Sequence, residues 1–424
     1  MIQEEFTLDH AILYGGATVL LDYLKRIGLQ KIFSRHLPIS KRKDSLYPLP
    51  DVGVVMVTGH LLGKERLFHF EDLEADPLLA LKLGMPKLPD HTVLNKDLHR
   101  FSGPLEVEAL RAVHQEVLHR SLRGLQEGVL DIDTTVETVY GEPSEADVGY
   151  NPTRPGRASY RPILAFEGGR RVCANVHLRG GAVHTITGFA DFYRQTIAQL
   201  PPRMHIWCVR LDRGFSGEET FGFLEKQGTH YVAKIKVTDR LLRQPFKWQR
   251  IEEGEEIVEV SSTYYQATSW QRPRRVVLVR RREADPEQIA LFEEALWRYD
   301  AMATTLNWDE EDIWHFYNQR CPAENYIKEQ KHGFGIDAIP TDDYWPNYAA
   351  LLLKVIAYNL YVSFLREVVP KAYRSYTVTR MRRMFWMIPA ILVRHARRWI
   401  LRLWRDFPRQ KAFWEMRKRV FAIG

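Results

Sequence analysis

Cysteine is scarce: Cys173, Cys208 and Cys321 are the only three in 424 residues. They stand singly, with no Cys-x-x-Cys pair, so neither a zinc knuckle nor a disulfide framework is expected and a reducing compartment fits. The opening residues, Met1-Ile-Gln-Glu-Glu-Phe6, lack the basic start and apolar run of a secretory signal. Long hydrophobic runs are missing too. The stretch Ala349–Val362 is apolar but is interrupted by Lys354 and Asn359, and it is shorter than a bilayer span, so a buried helix is expected and a membrane is not. No internal repeat is visible. Acidic residues fall short of basic ones, 53 against 60, for a net charge of +7. That balance favours a polyanionic partner, and arginine matches phosphate bidentately. With 45% apolar residues, the chain can bury a large core.

The most ordered polar stretch is Tyr317-Asn-Gln-Arg320-Cys-Pro-Ala-Glu324-Asn-Tyr-Ile-Lys-Glu-Gln-Lys331. On an ideal helix Tyr317, Arg320, Glu324 and Lys331 lie within about 60° of one another. Alone, such a face is what any solvated helix with i,i+4 ion pairs presents. Pro322 predicts a kink or short break before Glu324.

Upstream, Val129–Tyr140 alternates as a strand should, with Asp131, Asp133 and Thr135 on one face. Gly168-Gly169 predicts a hairpin between strands over Arg161–Glu167 and Arg171–Arg179. His205–Leu211 reads as a buried strand ending at Asp212-Arg-Gly-Phe, a carboxylate placed at a strand–turn–helix junction. Ser216 is the expected cap of the helix after it. Further strands are expected over His230–Val237, Glu255–Trp270, Arg274–Arg282 and Trp297–Leu306.

Residues 1–125 read as helical. A short helix beginning at the N-cap Asp90 offers Asn95, Lys96, His99 and Arg100, the pattern of a helix-turn-helix or of an ordinary bundle. At the other end, residues 371–424 hold 15 Lys/Arg against 2 Asp/Glu, interleaved with tryptophan at helical spacing.

Taken together, Asp-x-Asp-Thr-Thr at Asp133, Asp-x-Gly-Phe at Asp212 and Tyr-x2-Arg-x3-Glu-x6-Lys at Glu324 resemble the motifs of bacterial insertion-sequence transposases of the DDE type. The resemblance covers about residues 128–365. It implies an α/β fold: a ribonuclease-H-like mixed sheet flanked by helices, with the catalytic core at 126–240 and 309–370 and a β-rich insertion at 241–308. Charge and pattern set apart the two ends, a helical N-terminal region at 1–125 for DNA binding and a basic helical C-terminal region at 371–424. The resemblance further implies Asp133, Asp212 and Glu324 as catalytic metal ligands for two Mg²⁺ ions, with Mn²⁺ as a substitute. Tyr317, Arg320, Lys331 and Arg157 become phosphate contacts, with Tyr160 beside Arg157. Trp270 and Trp248 become candidates for stacking a flipped base. The expected partners are terminal inverted repeats and target DNA, bridged by a homodimer, in the bacterial cytoplasm and on the nucleoid when bound. Two other classes remain open from sequence: a catalytically silent, transposase-derived DNA-binding protein, and a ribonuclease-H-fold nuclease.

Overall fold

The computed structural model describes all residues except 1, 6, 8–10, 43, 254–255, 284–296 and 424. In chain order its strands are β1 (Ala11–Ile12), β2 (Glu127–Thr134), β3 (Glu137–Thr138), β4 (Asp147–Val148), β5 (Ala158–Tyr160), β6 (Ile163–Glu167), β7 (Val172–His177), β8 (His205–Leu211), β9 (His230–Ile235), β10 (Gln249–Glu253), β11 (Glu256–Tyr265), β12 (Arg274–Glu283), β13 (Arg298–Thr304), β14 (Ala390–His395) and β15 (Arg398–Leu403). Glu255, where one predicted strand begins, lies outside the described residues. The chain forms two compact units. One comprises residues 122–135 and 161–326; the other comprises 1–121, 136–160 and 327–424.

The first unit is built on a nine-stranded sheet in the order β10-β11-β12-β13-β9-β8-β2-β6-β7. Strands β2, β8 and β9 run parallel to one another, while β6 and β7 on one flank and β10 to β13 on the other pair antiparallel. A meander feeding a parallel core through helical crossovers is the ribonuclease-H-like arrangement expected of the fold class. The Gly168-Gly169 turn does join β6 to β7. A Cβ on Gly168 would stand 2.8 Å from Arg210 Nη2 and 3.0 Å from Asp131 Oδ2, so the close approach of this turn needs glycine.

The strands between the second and third acids do not stand apart. Through the β13–β9 pairing they extend the same sheet. Val258, Val260, Val277, Val279 and Met302 from that extension share a core with Cys208, Val232, Ile313, Trp314, Phe316 and Tyr317. The helix Glu310–Asn318 therefore lies on a β-branched surface that it helps to bury.

The second unit contains the N-terminal helices. Its longest helix, Tyr344–Glu367, is longer than the expected apolar stretch and would be long enough to cross a membrane, but 89% of its apolar window is buried. The sequence predicts that this helix packs on the sheet; within its own unit it packs on helices Pro104–Ser121 and Leu49–Leu61. Lys354 is tolerated there because its ammonium donates to Gly335 O at 2.7 Å and Ala338 O at 2.6 Å. Asp90 caps His91–Leu98 as predicted, accepting from Val93 N at 2.8 Å.

The C-terminal region departs from the helical expectation. Besides the helix Gln410–Phe421 it holds the antiparallel hairpin β14–β15, whose first strand also pairs with β1. The aliphatic pairs Leu392 with Leu401 and Val393 with Ile400 explain the difference, since they favour a pleated pair over a helix.

Candidate active site

Two acids reach the same end of the sheet by backbone geometry alone. In the parallel pair β2–β8, Ile132 lies opposite Leu211, so Asp133 and Asp212 follow as the next residues on adjacent strands. Alternation turns Asp131 to the same side as Asp133. Asp131 is locked by Arg210, with Nε to Oδ1 at 2.6 Å and Nη2 to Oδ2 at 2.8 Å, while Arg210 Nη1 donates to Phe316 O at 2.8 Å. Asp131 thus supports the strand end and is not itself exposed. Asp212 Oδ1 accepts from Gly214 N at 2.9 Å, which turns the chain sharply after β8. Ser216 does not cap the next helix: its hydroxyl donates back to Arg213 O at 2.8 Å, and Gly217 stands at the N-cap.

The third acid arrives from a helix. Helix Glu310–Asn318 stops and a new helix, Cys321–Phe334, begins after Gln319 and Arg320, at the break Pro322 predicts. Glu324 stands in its first turn and is exposed, at 72% of its side-chain surface. Arg320, in the break, is buried and links two of the acids. Its Nη2 lies 2.8 Å from Asp133 Oδ2 and its Nη1 lies 3.9 Å from Glu324 Oε1.

Electrostatics follow this arrangement. Burial pushes the Asp133 carboxyl up to about 6; Arg320 pulls it down, and Asp212 and Glu324 push it up again. Burial opposes the charge on Arg320, but Asp133, Tyr317, Asp212 and Asp131 outweigh it and raise its pKa. Crowded carboxylates around one cation form a hard-oxygen donor set, and such a set suits a hard divalent metal ion. As the side chains stand, no three Asp, Glu, His or Cys among the described residues close around a single point. The guanidinium of Arg320 is the cation beside Asp133.

The remaining predicted residues separate into buried and exposed sets. Tyr317 belongs to the apolar core under the sheet, at 7% exposure, and its phenol interacts electrostatically with Arg320. Arg320 is committed to Asp133, which differs from the phosphate contact expected of it. Lys331 donates to Val136 O at 2.9 Å. Arg157 is exposed on its Gly/Pro loop, whereas Tyr160 is fully buried and donates to Ser144 O at 2.6 Å. Trp270 is buried against Phe221 and Tyr265, with the Arg274 guanidinium 5.4 Å from its ring centroid. Trp248 is half-buried and stacks beside Arg280, which also lies over the ring of Trp297, each ring centroid 4.3 Å away. Asn95, Lys96 and His99 are exposed.

Sequence reading missed Glu137, an acid with 0% exposure. Burial raises its pKa, opposed by Lys354 and Lys331. Its position in the strand pattern after Asp133 was visible, but burial of that segment was not.

The family model for the transposase DDE domain, group 1, matches residues 8–423. No curated protein matches the chain. Among solved structures that match is a cryo-EM structure of a piggyBac transposase synaptic complex with hairpin DNA. It is 12% identical over 88% of this chain and 80% of that one, with a TM-score of 0.44.

Proposed function

The chain belongs to the group 1 family of DDE-domain transposases, and from that premise we propose that it cleaves DNA at the inverted-repeat ends of a mobile element and joins those ends to target DNA. Asp133, Asp212 and Glu324 are the proposed catalytic acids. The observation that carries the assignment is the meeting of Asp133 and Asp212 at adjacent parallel strand ends, with Glu324 held near Asp133 through Arg320.

Divalent ions bound by these acids, Mg²⁺ in the first instance, would polarise the scissile phosphate and ease deprotonation of the attacking hydroxyl. The protein's own contributions are positional. The β2 and β8 strand ends fix two carboxylates on rigid backbone. Glu324, exposed on its helix, presents the third from the opposite side of Arg320. Arg320 balances the charge of Asp133 within a buried setting and so keeps an otherwise repelled cluster together. Lys331 ties its helix to the backbone just beyond β2 through Val136 O. An ammonium carries three donors, so two remain for a DNA phosphate. Cut-and-paste chemistry, two metal ions and a homodimer bridging both ends complete the proposal.

The test uses linear DNA ending in the sequences that flank the gene. Asp133→Asn, Asp212→Asn and Glu324→Gln are each expected to reduce Mg²⁺-dependent cleavage by on the order of 10³-fold or more, while DNA affinity stays near wild type. Thermal melting controls for the loss of the Arg320 partner in the first variant. Cleavage at wild-type rates in any of the three would remove that residue from the site.

A further inference from the structure

We propose that the tip of the β14–β15 hairpin is a finger that grips the phosphate backbone of duplex DNA. The inference rests on the reading of this chain as an enzyme that works on DNA. It adds a surface built from other residues than the three acids, in the second of the two compact units.

The hairpin has an anchored root and a bare tip. At the root, Ala390 and Ile391 pair with β1, and Ala390 and Leu392 pack with Ile12 and Leu78, joined by Leu401 and Leu403. Trp404 N closes the base by donating to Pro389 O at 3.0 Å. Every residue from Arg394 to Ile400 is exposed, Trp399 at 50%.

The charge of the tip is unspent. Arg394, Arg397, Arg398 and Arg402 have no carboxylate within 4.0 Å among the described residues. Three arginines of β12 are different: Arg274 is held by Glu218 and Glu225, Arg275 by Glu310, and Arg280 by Glu259. Those three thus hold the fold together, and those of the hairpin are left for something outside it. Arg394 lies 5.7 Å from the Trp399 ring, so the aromatic stiffens one cation and does not neutralise it.

The turn supports the same conclusion. Ala396 (φ 45°) and Arg397 (φ 64°) both occupy the left-handed region. Two-residue hairpin turns of this kind usually carry Asn-Gly or Asp-Gly, because side chains beyond Asn and Gly are strained there. Keeping arginine at such a position sets charge at the tip against local strain. A two-stranded ribbon is also narrow enough to enter the major groove of B-DNA. Clustered, unpaired guanidiniums on a ribbon suit duplex phosphates.

The test compares the full chain with an Arg394→Gln/Arg397→Gln/Arg398→Gln variant, by fluorescence anisotropy on a short duplex of arbitrary sequence across a salt series. The variant should bind about tenfold or more weakly, and the slope of log K against log salt should shrink by about 2 to 3, one phosphate contact per arginine lost. Unchanged affinity and slope would overturn the inference while leaving the transposase reading intact, provided the wild type still binds and cleaves. A wild type that binds no duplex would instead sink the reading on which the inference rests. Vesicles of acidic phospholipid provide the second arm: loss of vesicle binding with duplex affinity unchanged would assign the tip to a membrane surface and overturn the proposal. The single variant Arg397→Gln, at an exposed turn, should retain the wild-type melting temperature and a fraction of the same affinity loss.

Discussion

At the scale of single residues, ion pairing decides which charges are available. Arg274 is almost fully buried, and it bridges Glu218 and Glu225 through contacts of 2.7 and 2.8 Å. Replacing it with methionine strands two carboxylates and should cost about 3 kcal/mol in urea unfolding. Its partner Glu225 sets a pH signature. Burial acts to raise the Glu225 carboxyl, but hydrogen bonds from Arg274, Arg272 and Tyr231 prevail and hold it down to about 2. A depressed acid stabilises the folded state above its ordinary pKa and loses that stabilisation as pH falls toward the folded value. Wild-type stability should therefore drop between about pH 4.5 and 2, and Glu225→Gln should flatten that part of the curve measured by thermal melts. Trp270→Ala should act on the fold first. A buried indole lost from among Phe221, Tyr265 and Arg274 costs about 3 to 5 kcal/mol, to be read from denaturant midpoints. Base stacking by Trp270 would need its ring to leave that packing. Asp133 and Asp212 were legible because aspartate is disfavoured within strands, so an acid alternating with aliphatics, or closing a strand as Asp-x-Gly, stands out. The pairing of Arg320 with Asp133 was not legible, because spacing along one helix says nothing of a partner on a distant strand.

At the scale of elements, turn chemistry and period account for most successes and the main miss. Gly168-Gly169, the Asp90 cap and the break at Pro322 are local signals, and each appears where the residues placed it. The β14–β15 hairpin was hidden for two reasons. Tryptophan and arginine recur there at a spacing that also suits a helix, and the Ala396-Arg397 turn carries none of the usual hairpin residues. The double substitution Ala396→Asn/Arg397→Gly should relieve left-handed strain in that turn and stabilise the second unit by about 1 kcal/mol or more, seen as a higher melting temperature.

At the scale of the whole molecule, the large mixed sheet flanked by helices is the fold class the sequence led one to expect. The merging of β10 to β13 into that sheet was beyond sequence reading, since strand pairing partners are not encoded in local alternation. Removing residues 241–308 would take four of nine strands and bare the edge of β9. Such a deletion should give aggregated protein without a cooperative melt, and not a trimmed enzyme. The same ladder has a kinetic side. Strands β2 and β8 are flanked by neighbours on both edges, so their amides should be among the last to exchange with deuterium, opening only when the unit as a whole unfolds. Glu324, exposed just past a two-residue break between helices, lies where a small local opening can occur alone. Under the proposed function, Asp133 and Asp212 would be the fixed jaws of a vice and Glu324 the one that can travel, so that only Glu324 would adjust to the width of what is clamped.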